Sequence, residues 1–515
     1  MSSMSDRNDP GPPAAGSAVY DVAVVGGGPA GLAAAVATVE AGARVVLLDA
    51  GTRPGGQYWR HPARTDAHPA AGSRPVTDDE VAHLHHGLAD FWRLDGALTA
   101  AVSDGRAVVH ADHQVWTVGR TGADDLEVRA IDGRGTAARE RVVWARTLVL
   151  APGAYDRQIP FPGWDLPGVF TAGGAQALLK GNVVVAGRCF LVAGTGPFLL
   201  SVAAGLASSG ARVVGVHEAA SARGWLPRAG TALRNLGKLG EGAGYGATLL
   251  RHRVPYRSRS TVVAAHGEAE LTAVTVARLD AAGKVRPGSE RVVEVDALAL
   301  GWGFTPQLEL PLALGVGTRV DVDGSLVVAV DEEQRTSVAG VFVAGEACGV
   351  GGAALAVVEG EIAGAAAARA SGRAGRRPAA SLLRRRAGLR AFAEAMHQVY
   401  PVPSGWTARA GEDTLVCRCE EVSVGRLRAS ADDGARDARS AKLLTRVGMG
   451  WCQGRVCGYA SACLLAEASG TAYAPESVST RPVAAPVRLG ALTAEPLQDD
   501  VRRVPCDIAL EYHDL

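Results

Sequence analysis

Four cysteines near the C-terminal end have the spacing of a metal site. Cys417 and Cys419 form a CxC pair, and Cys452 and Cys457 form a Cx4C pair in the stretch GMGWCQGRVCG. Successive side chains of an extended chain point to opposite faces, so both thiols of a CxC pair can bind only where the backbone wraps around the metal. The glycines of the second stretch allow such a bend and offer backbone amides to the sulfurs. Four thiolates suit either zinc or a [2Fe-2S] cluster, and the spacing does not separate the two.

The positions of all eight cysteines favour metal binding over disulfide chemistry. Five of the eight fall between positions 417 and 463, and in a reducing compartment such clustering favours metal binding over disulfides. Cys463 lies in the helix-like run YASACLLAEAS, where we expect a packed small residue and not a ligand. Because no CxxC pair occurs before Cys417, we do not expect disulfide reductase chemistry.

A nucleotide-binding pattern occupies the other end of the chain. The apolar run YDVAVV leads into Gly26, Gly28 and Gly31 in GxGxxG spacing, then an alanine-rich helical stretch and a second apolar run ending in Asp49. The first glycine allows a tight turn, the second lets the backbone approach a pyrophosphate, and the third lets helix pack on strand. Asp49 is placed to accept hydrogen bonds from ribose hydroxyls. The pattern therefore predicts a dinucleotide site.

This unit is repeated within the chain. At a constant offset of 168 positions, Gly194 aligns with Gly26 and Gly196 with Gly28, and GARVV occurs in both copies. In the copy, Leu199 stands at the position of Gly31. His217 aligns with Asp49, with Glu218 one step further. We therefore expect a second Rossmann-like unit, and its sequence leaves open whether it binds NAD(P)H or only keeps the fold.

Further segments complete a resemblance to a known family. PGGQYWR, TLVLAPGAYDRQIPFPG and GVFVAGE follow in that order, and residues 19 to 370 resemble the two-dinucleotide-binding-domain flavoproteins related to thioredoxin reductase. The resemblance implies FAD, with the pyrophosphate, ribose and ribityl contacts made by Gly26, Gly28, Pro29, Ala30, Gly31, Asp49, Gly345 and Glu346. It also implies that Gly56 and Gln57 line the flavin side and that Ala151 and Gly153 close the domain. These families usually have Asp where Glu346 stands.

The C-terminal cysteines carry a more specific resemblance. CRCEEV together with GMGWCQGRVCG resembles the BFD-like (bacterioferritin-associated) ferredoxin-like domain. That domain is appended to the alpha subunits of opine oxidases, hydrogen cyanide synthase and hydroxyproline or proline dehydrogenases. The resemblance implies that Cys417, Cys419, Cys452 and Cys457 bind [2Fe-2S]. It further implies that the partner is a D-amino-acid-oxidase-like beta subunit, and it leaves open both FMN at a subunit interface and a small ferredoxin-like third subunit.

Length and motif order predict the domain organisation. The 515 residues suffice for two or three domains: we expect an α/β protein with two Rossmann-like domains of thioredoxin-reductase type, built in three layers, and a small α-rich iron-sulfur domain. The expected bounds are a disordered N-terminus at 1–18, an FAD-binding domain at 19–180 and 285–370, the second unit at 181–284, a solvated linker at 371–410, the [2Fe-2S] domain at 411–475 and an extended tail at 476–515. His83, His85 and His86 are expected on an exposed helix face.

Composition limits the partners. With 53 basic and 53 acidic residues, the chain creates no overall field that favours nucleic acid or an anionic membrane. The opening residues lack the apolar core of a signal peptide, and no long apolar run follows, so we expect a cytoplasmic protein without a transmembrane segment.

Three functions fit these features. The first is the FAD and [2Fe-2S] electron-transfer subunit of a heteromeric amino-acid or opine dehydrogenase that acts on CH-NH or CH-NH2 donors and passes electrons to an acceptor other than oxygen. The second is a self-sufficient NAD(P)H-dependent reductase using Gly194 and Gly196. The third is a non-catalytic iron-sensing or scaffold subunit. No histidine, serine or carboxylate constellation identifies a catalytic base or nucleophile, so the catalytic residues are not predicted.

Overall fold

The computed structural model describes residues 19–62, 84–85, 87–121, 125–133, 137–478, 483–493 and 495–499. The predicted disorder of residues 1–18, the positions of His83 and His86, and residues 500–515 of the predicted tail lie outside the described residues. His85 is described and precedes a helix that begins at Leu88, so it does not lie on the expected helix face; its Nε2 lies 2.6 Å from the Arg60 carbonyl oxygen.

The described residues form the following elements. The helices are α1 (Pro29–Glu40), α2 (Leu88–Ser103), α3 (Ala172–Asn182), α4 (Phe198–Ser208), α5 (Ala229–Leu233), α6 (Leu236–Arg251), α7 (Glu309–Ala313), α8 (Ala353–Ala370), α9 (Ala380–Val399), α10 (Val424–Asp432), α11 (Ala438–Thr445) and α12 (Gly458–Ser469). The strands are β1 (Val19–Val25), β2 (Val45–Leu48), β3 (Ala107–His110), β4 (His113–Arg120), β5 (Leu126–Asp132), β6 (Arg139–Leu150), β7 (Ala154–Asp156), β8 (Val169–Thr171), β9 (Cys189–Gly194), β10 (Arg212–Glu218), β11 (Tyr256–Ser258), β12 (Ser260–His266), β13 (Ala273–Arg278), β14 (Arg291–Glu294), β15 (Ala297–Gly301), β16 (Phe304–Pro306), β17 (Thr318–Val320), β18 (Leu326–Val328), β19 (Val341–Val343), β20 (Leu415–Cys417), β21 (Val422–Ser423) and β22 (Leu497–Gln498).

The first Rossmann-like unit, called the FAD unit below, is built on an eight-stranded sheet. Its main order is β3-β2-β1-β6-β5-β4, with β19 and β22 also paired to β6. The strands β3, β2, β1, β6 and β19 run parallel. Strand β2 is buried on both faces, because helices α1 and α2 cover one face and strands β4 and β5 cover the other. Helix α8 packs closely on α1: a Cβ at Gly360 would lie 2.0 Å from the Ala30 carbonyl oxygen. Small residues on α8 therefore bring the two helices together beside the glycine turn.

The second Rossmann-like unit has a parallel sheet in the order β11-β10-β9-β15-β8. Strands β8 and β15 lie outside the predicted bounds of 181–284, so the unit extends further at both ends than its motifs indicated. Strand β15 pairs with β9 and β8, which lie far earlier in the chain, so local sequence patterns did not assign β8 and β15 to this unit. A three-stranded antiparallel sheet, β12-β13-β14, lies between β11 and β15 along the chain.

The predicted solvated linker contains a docked helix. Helix α9 occupies 20 residues of the segment 371–410. Its Arg386 and Arg390 lie 3.4 and 2.6 Å from the Glu359 carboxylate on α8, and Glu359 is fully buried. These two arginines neutralise the buried Glu359 carboxylate. Without them the buried negative charge would be unpaired, which would lower the stability of the folded chain.

The C-terminal domain consists of a short hairpin, β20-β21, and helices α10 to α12. Its buried side chains share one hydrophobic core with the second unit, in which Trp164 and Leu191 join Val416, Leu427 and Leu464. The following segment lies along the FAD unit, where β22 pairs with β6. The predicted fold class, two Rossmann-like units with a small α-rich domain, is confirmed. In the described ranges, no helix is long and apolar enough to cross a membrane.

Candidate functional site

The glycine turn of the FAD unit has the geometry of a pyrophosphate site. Gly26 has φ +103°, and a Cβ there would lie 2.2 Å from the Ala151 carbonyl oxygen. A Cβ at Gly31 would lie 1.6 Å from the Gly26 carbonyl oxygen, so helix α1 and the turn are in direct contact. At Gly28 a Cβ would meet only the Gly56 Cα at 3.8 Å, which leaves its outer side open for a ligand. With Pro29 and Ala30 in the first turn of α1, the arrangement fits a dinucleotide phosphate.

Asp49 lies directly after β2 and supports the same turn. Its carboxylate accepts hydrogen bonds from the backbone amides of Gly27 and Gly51, the latter at 2.6 Å. Burial raises the pKa of Asp49, and the two amides oppose this shift. The side chain is thus held at the end of the strand, where the sequence predicted a ribose contact.

The segments predicted to close the flavin side lie around this turn. A Cβ at Gly56, which has φ +59°, would lie 2.7 Å from the Gly28 Cα, so the two backbones touch. Gln57 is exposed, and its side-chain oxygen accepts from Arg60 at 3.0 and 3.2 Å. Ala151 donates its amide to the Val25 carbonyl, and the Gly153 carbonyl accepts from Gln307. The flavin contacts of Gln57 and Gly153 stay predictions.

Gly345 and Glu346 follow β19 and face the first turn of α8. The Glu346 carboxylate accepts from the amides of Gly351 and Gly352, both at 3.0 Å, and burial raises its pKa. The Gly345 amide donates to the buried Glu359 at 3.1 Å. Glu346 therefore holds the N-terminal end of α8, and its predicted contact with FAD stays a prediction.

The second unit keeps a carboxylate that the constant offset misaligned. Glu218 accepts from the amides of Gly196 and Ala220, both at 2.8 Å, which matches the way Asp49 binds Gly27 and Gly51. The alignment of His217 with Asp49 is therefore wrong. Two residues of β10 oppose one of β9 between Val213 and Gly215, and this bulge adds one position. His217 instead lies 2.7 Å from the Ser260 hydroxyl, on the side of the antiparallel sheet.

The four predicted metal-binding cysteines lie together in the C-terminal domain. Their thiols form a chain of hydrogen-bonding contacts, Cys419 with Cys452, Cys452 with Cys457, and Cys457 with Cys417. The backbone is tight here: a Cβ at Gly450 would lie 2.2 Å from the Cys419 Cβ. Cys417 and Cys457 are buried, Cys452 is half-buried and Cys419 is exposed.

Backbone amides point at these sulfurs, as the glycine-rich sequence predicted. Gly448 and Glu420 donate toward Cys417, and Gly454 and Val456 donate toward Cys452. Hydrogen bonding from the Cys457 thiol, aided by these amides, lowers the pKa of Cys417 to about 6 and that of Cys452 to about 4. The same hydrogen bonds to Cys417 and Cys452 raise the pKa of Cys457, so metal binding at this site would release its proton.

The four thiols interact as one group: besides the hydrogen-bonding contacts, Cys417 lies within electrostatic reach of both Cys419 and Cys452. Among the described residues, no three His, Cys, Asp or Glu side chains are arranged to hold one metal ion. Four thiolates are the ligand set of a [2Fe-2S] cluster, in which each iron takes two, and also of a mononuclear zinc site. Cys463 lies on α12 and is half-buried. Burial raises its pKa to about 11.

A cavity of about 560 Å³ separates the cysteines from the FAD and second units. Its walls include all four predicted ligand cysteines together with Tyr155, Asp156, Gln158, Trp164, Phe170, Arg418 and Arg455. Arg455, between two of the cysteines, lies 2.6 Å from the Tyr155 hydroxyl and 3.1 Å from the Glu309 carboxylate. Sequence reasoning missed these three residues; the one available signal was a charged residue inside the cysteine loop.

Comparisons with known proteins agree with this geometry. Residues 20–372 match the pyridine nucleotide-disulphide oxidoreductase family, and residues 415–467 match the BFD-like [2Fe-2S] binding domain. The chain therefore belongs to the pyridine nucleotide-disulphide oxidoreductase family. It is an FAD-dependent oxidoreductase with a C-terminal [2Fe-2S] domain, as the sequence predicted.

Named relatives extend over most of the chain. Hydrogen cyanide synthase subunit HcnB of Pseudomonas aeruginosa is 35% identical over 85% of this chain and 91% of its own length. An opine oxidase subunit of Agrobacterium tumefaciens is 30% identical over 95% of both chains. These matches confirm the predicted relationship. Among solved structures, an L-proline dehydrogenase from P. horikoshii shares the fold with a TM-score of 0.63 and 21% identity, over 92% of this chain and 79% of that one.

Proposed function

We propose that this chain is the electron-transfer subunit of a heteromeric dehydrogenase that oxidises an amino acid or a secondary amine such as an opine. The observation that carries this proposal is the cavity whose walls join the four ligand cysteines to Tyr155, which directly follows the segment closing the FAD unit. The cavity adjoins both the four cysteines and the segment that follows the predicted flavin-closing residues, which supports an electron path between the two sites.

The two cofactors would divide the chemistry. When bound, FAD would accept electron pairs and the [2Fe-2S] cluster would carry single electrons. The glycine turn and Asp49 would hold the dinucleotide, while the amides of Gly448 and Gly454 would stabilise negative charge on the cysteine sulfurs. The shared core beneath the C-terminal domain would keep the two sites at a fixed separation.

The names of the relatives support the substrate class and the need for partners. They are subunits of a hydrogen cyanide synthase and an opine oxidase. We propose that a D-amino-acid-oxidase-like beta subunit oxidises the substrate in the cytoplasm and that an acceptor other than oxygen receives the electrons. FMN at a subunit interface and a small ferredoxin-like third subunit are further parts of this proposal.

Cys457→Ser tests the electron path. A serine hydroxyl is far less acidic than a thiol and a poorer ligand for iron, so the variant should lose iron and sulfide. FAD should stay bound, because its predicted contacts all lie before residue 371. Substrate-dependent dye reduction by the complex with its partner should then fall to background. Iron, FAD and dye reduction are measured on the same preparation.

Cys463→Ser is the matched control on α12. It should retain iron, FAD and turnover if that thiol only packs. Full turnover by an iron-free Cys457→Ser complex would exclude the cluster from the electron path. Loss of iron from Cys463→Ser would instead show that the fourth ligand is misassigned.

Glu218 favours a second candidate function, an NAD(P)H-dependent reductase. Its contacts with Gly196 and Ala220 reproduce the carboxylate arrangement of the FAD unit. When the purified chain is mixed with NADH or NADPH under anaerobic conditions, the flavin absorbance should then bleach as fast as the enzyme turns over. An unchanged flavin spectrum would leave the second unit without this role.

A further inference from the structure

Arg455 joins the cysteine domain to the rest of the chain. It lies in the loop between ligands Cys452 and Cys457, yet its side chain leaves the domain and only 14% of it is exposed. Its Nε lies 2.6 Å from the Tyr155 hydroxyl and 3.1 Å from the Glu309 carboxylate, which is itself only 6% exposed. The loop that carries the cluster is therefore tied to a buried acid outside its own domain.

The two outer partners belong to the part of the chain that closes the flavin site. Tyr155 lies on β7, two residues after Gly153, and its ring centroid is 5.5 Å from the guanidinium carbon of Arg455. Glu309 is the first residue of α7 and lies two residues after Gln307. The backbone amide of Gln307 donates a hydrogen bond to the Gly153 carbonyl. Both contacts of Arg455 thus converge on the backbone around Gly153.

The same guanidinium also holds its own loop. Nη1 donates to the Cys452 carbonyl at 3.2 Å, and Nη2 donates to the Ala484 carbonyl in the C-terminal segment. Ala484 in turn donates its amide to the Trp116 carbonyl in β4. A planar guanidinium can make these bonds in fixed directions, whereas a lysine ammonium could not reproduce them.

We propose that Arg455 is a positioning residue that fixes the cluster loop against the FAD unit, and that its charge raises the reduction potential of the cluster. The inference rests on the proposed electron path. A cation beside the loop favours the more negative, reduced cluster, while the bonds to Tyr155 and Glu309 set the distance to the flavin. In each transfer, reduced FAD would lose one electron and one ferric ion would become ferrous.

Four variants separate geometry from charge in the full, cofactor-loaded chain. Arg455→Gln removes both, Arg455→Lys keeps the charge, Tyr155→Phe removes only the hydroxyl, and Glu309→Gln removes the opposing charge. Iron and FAD content, the midpoint potential of the cluster by EPR-monitored titration, and the rate of cluster reduction after rapid flavin reduction are measured for each. Arg428→Gln is the control, since Arg428 is paired with Glu412 at 2.6 Å elsewhere in the same domain.

The potentials should move in opposite directions. Arg455→Gln should lower the midpoint potential, Glu309→Gln should raise it, and Arg455→Lys and Tyr155→Phe should leave it near that of the wild type. Cluster reduction should be slower in Arg455→Gln, Arg455→Lys and Tyr155→Phe, roughly tenfold or more if the loop shifts. A purely structural role would not produce opposite shifts of potential.

The result that overturns the inference is a wild-type potential and a wild-type rate in Arg455→Gln with iron retained. If that variant does not retain iron, Tyr155→Phe and Glu309→Gln provide the test. A wild-type rate in Tyr155→Phe together with a wild-type potential in Glu309→Gln would also overturn the inference. Failure of the wild-type cluster to accept electrons from reduced FAD would instead contradict the proposed function itself.

Discussion

The two Rossmann-like units share a carboxylate that accepts hydrogen bonds from backbone amides, but their glycine turns are packed differently. In the FAD unit, Gly31 leaves α1 in contact with the Gly26 carbonyl, and Ala151 follows the neighbouring strand. In the second unit, Leu199 is fully buried at the position of Gly31, and Gly301 takes the place of Ala151. A Cβ at Gly301 would lie 3.0 Å from the Leu199 side chain, so the missing side chain makes room for the leucine.

The two units thus have their larger side chain on opposite sides of the turn, Ala151 in the FAD unit and Leu199 in the second unit, whereas both keep the carboxylate. Asp49 and Glu218 each bind two backbone amides at the end of the second strand. The carboxylate arrangement, predicted to serve the ribose, can therefore occur without the close glycine contact, predicted to serve the phosphates. Only the FAD unit keeps the close glycine contact at the phosphate end.

Gly28→Val should have the largest effect on this comparison. A Cβ at Gly28 meets no atom of the chain closer than 3.8 Å, so the variant should fold, but the side chain would occupy the space of the pyrophosphate. We expect loss of bound FAD, measured by absorbance and by release of flavin on denaturation, with an unchanged far-UV circular dichroism spectrum.

Gly119→Val in β4 is a suitable control, because a Cβ there would have no neighbour within 4 Å. That variant should keep stoichiometric FAD. Stoichiometric FAD in Gly28→Val would mean that the cofactor binds away from this turn, and the contrast between the two units would lose its meaning.

The sequence predicted the motifs well and the contacts between them poorly. The GxGxxG motif, Asp49 at the end of β2 and the cysteine spacing reflect local requirements of the backbone, so they could be recognised from the sequence alone. Glu218 was misaligned because one bulged residue in β10 shifts everything after it, and no local signal marks that bulge. Arg390 with Glu359 and Arg455 with Glu309 join residues far apart in sequence, so only the folded chain shows that these half-buried arginines face buried carboxylates.

Asp49→Asn should have a smaller effect that sharpens the comparison. An amide can accept through one oxygen only, so Asn would lose a charge-assisted contact to the turn and to the ribose. We expect FAD affinity to fall roughly tenfold, which corresponds to about 1.4 kcal/mol. Titration of the FAD-free protein with FAD measures it. The matched change Glu218→Gln should leave FAD affinity unchanged; equal losses in both variants would contradict separate roles for the two carboxylates.

The smallest expected effect concerns the pH dependence of stability. Burial raises the pKa of Glu218 from 4.5 to about 7, although the amides of Gly196 and Ala220 oppose the shift. Between these values the unfolded carboxyl is ionised while the folded one keeps its proton. The free energy of unfolding should therefore fall as pH rises from about 4.5 to 7, and this contribution should then level off.

Glu218→Gln removes that titration. The wild type should lose stability relative to Glu218→Gln between pH 5 and pH 8, by at most about 3 kcal/mol. Thermal denaturation of both proteins at several pH values measures the difference, which cancels the titration of other groups. Asp437→Asn is the control: hydrogen bonds from Ser440 lower the pKa of this cap carboxylate, so its contribution is complete above pH 5 and should not change across the same range. A pH-independent difference between the wild type and Glu218→Gln would show that the Glu218 carboxylate is already ionised in the folded chain, so that the amides of Gly196 and Ala220 outweigh its burial.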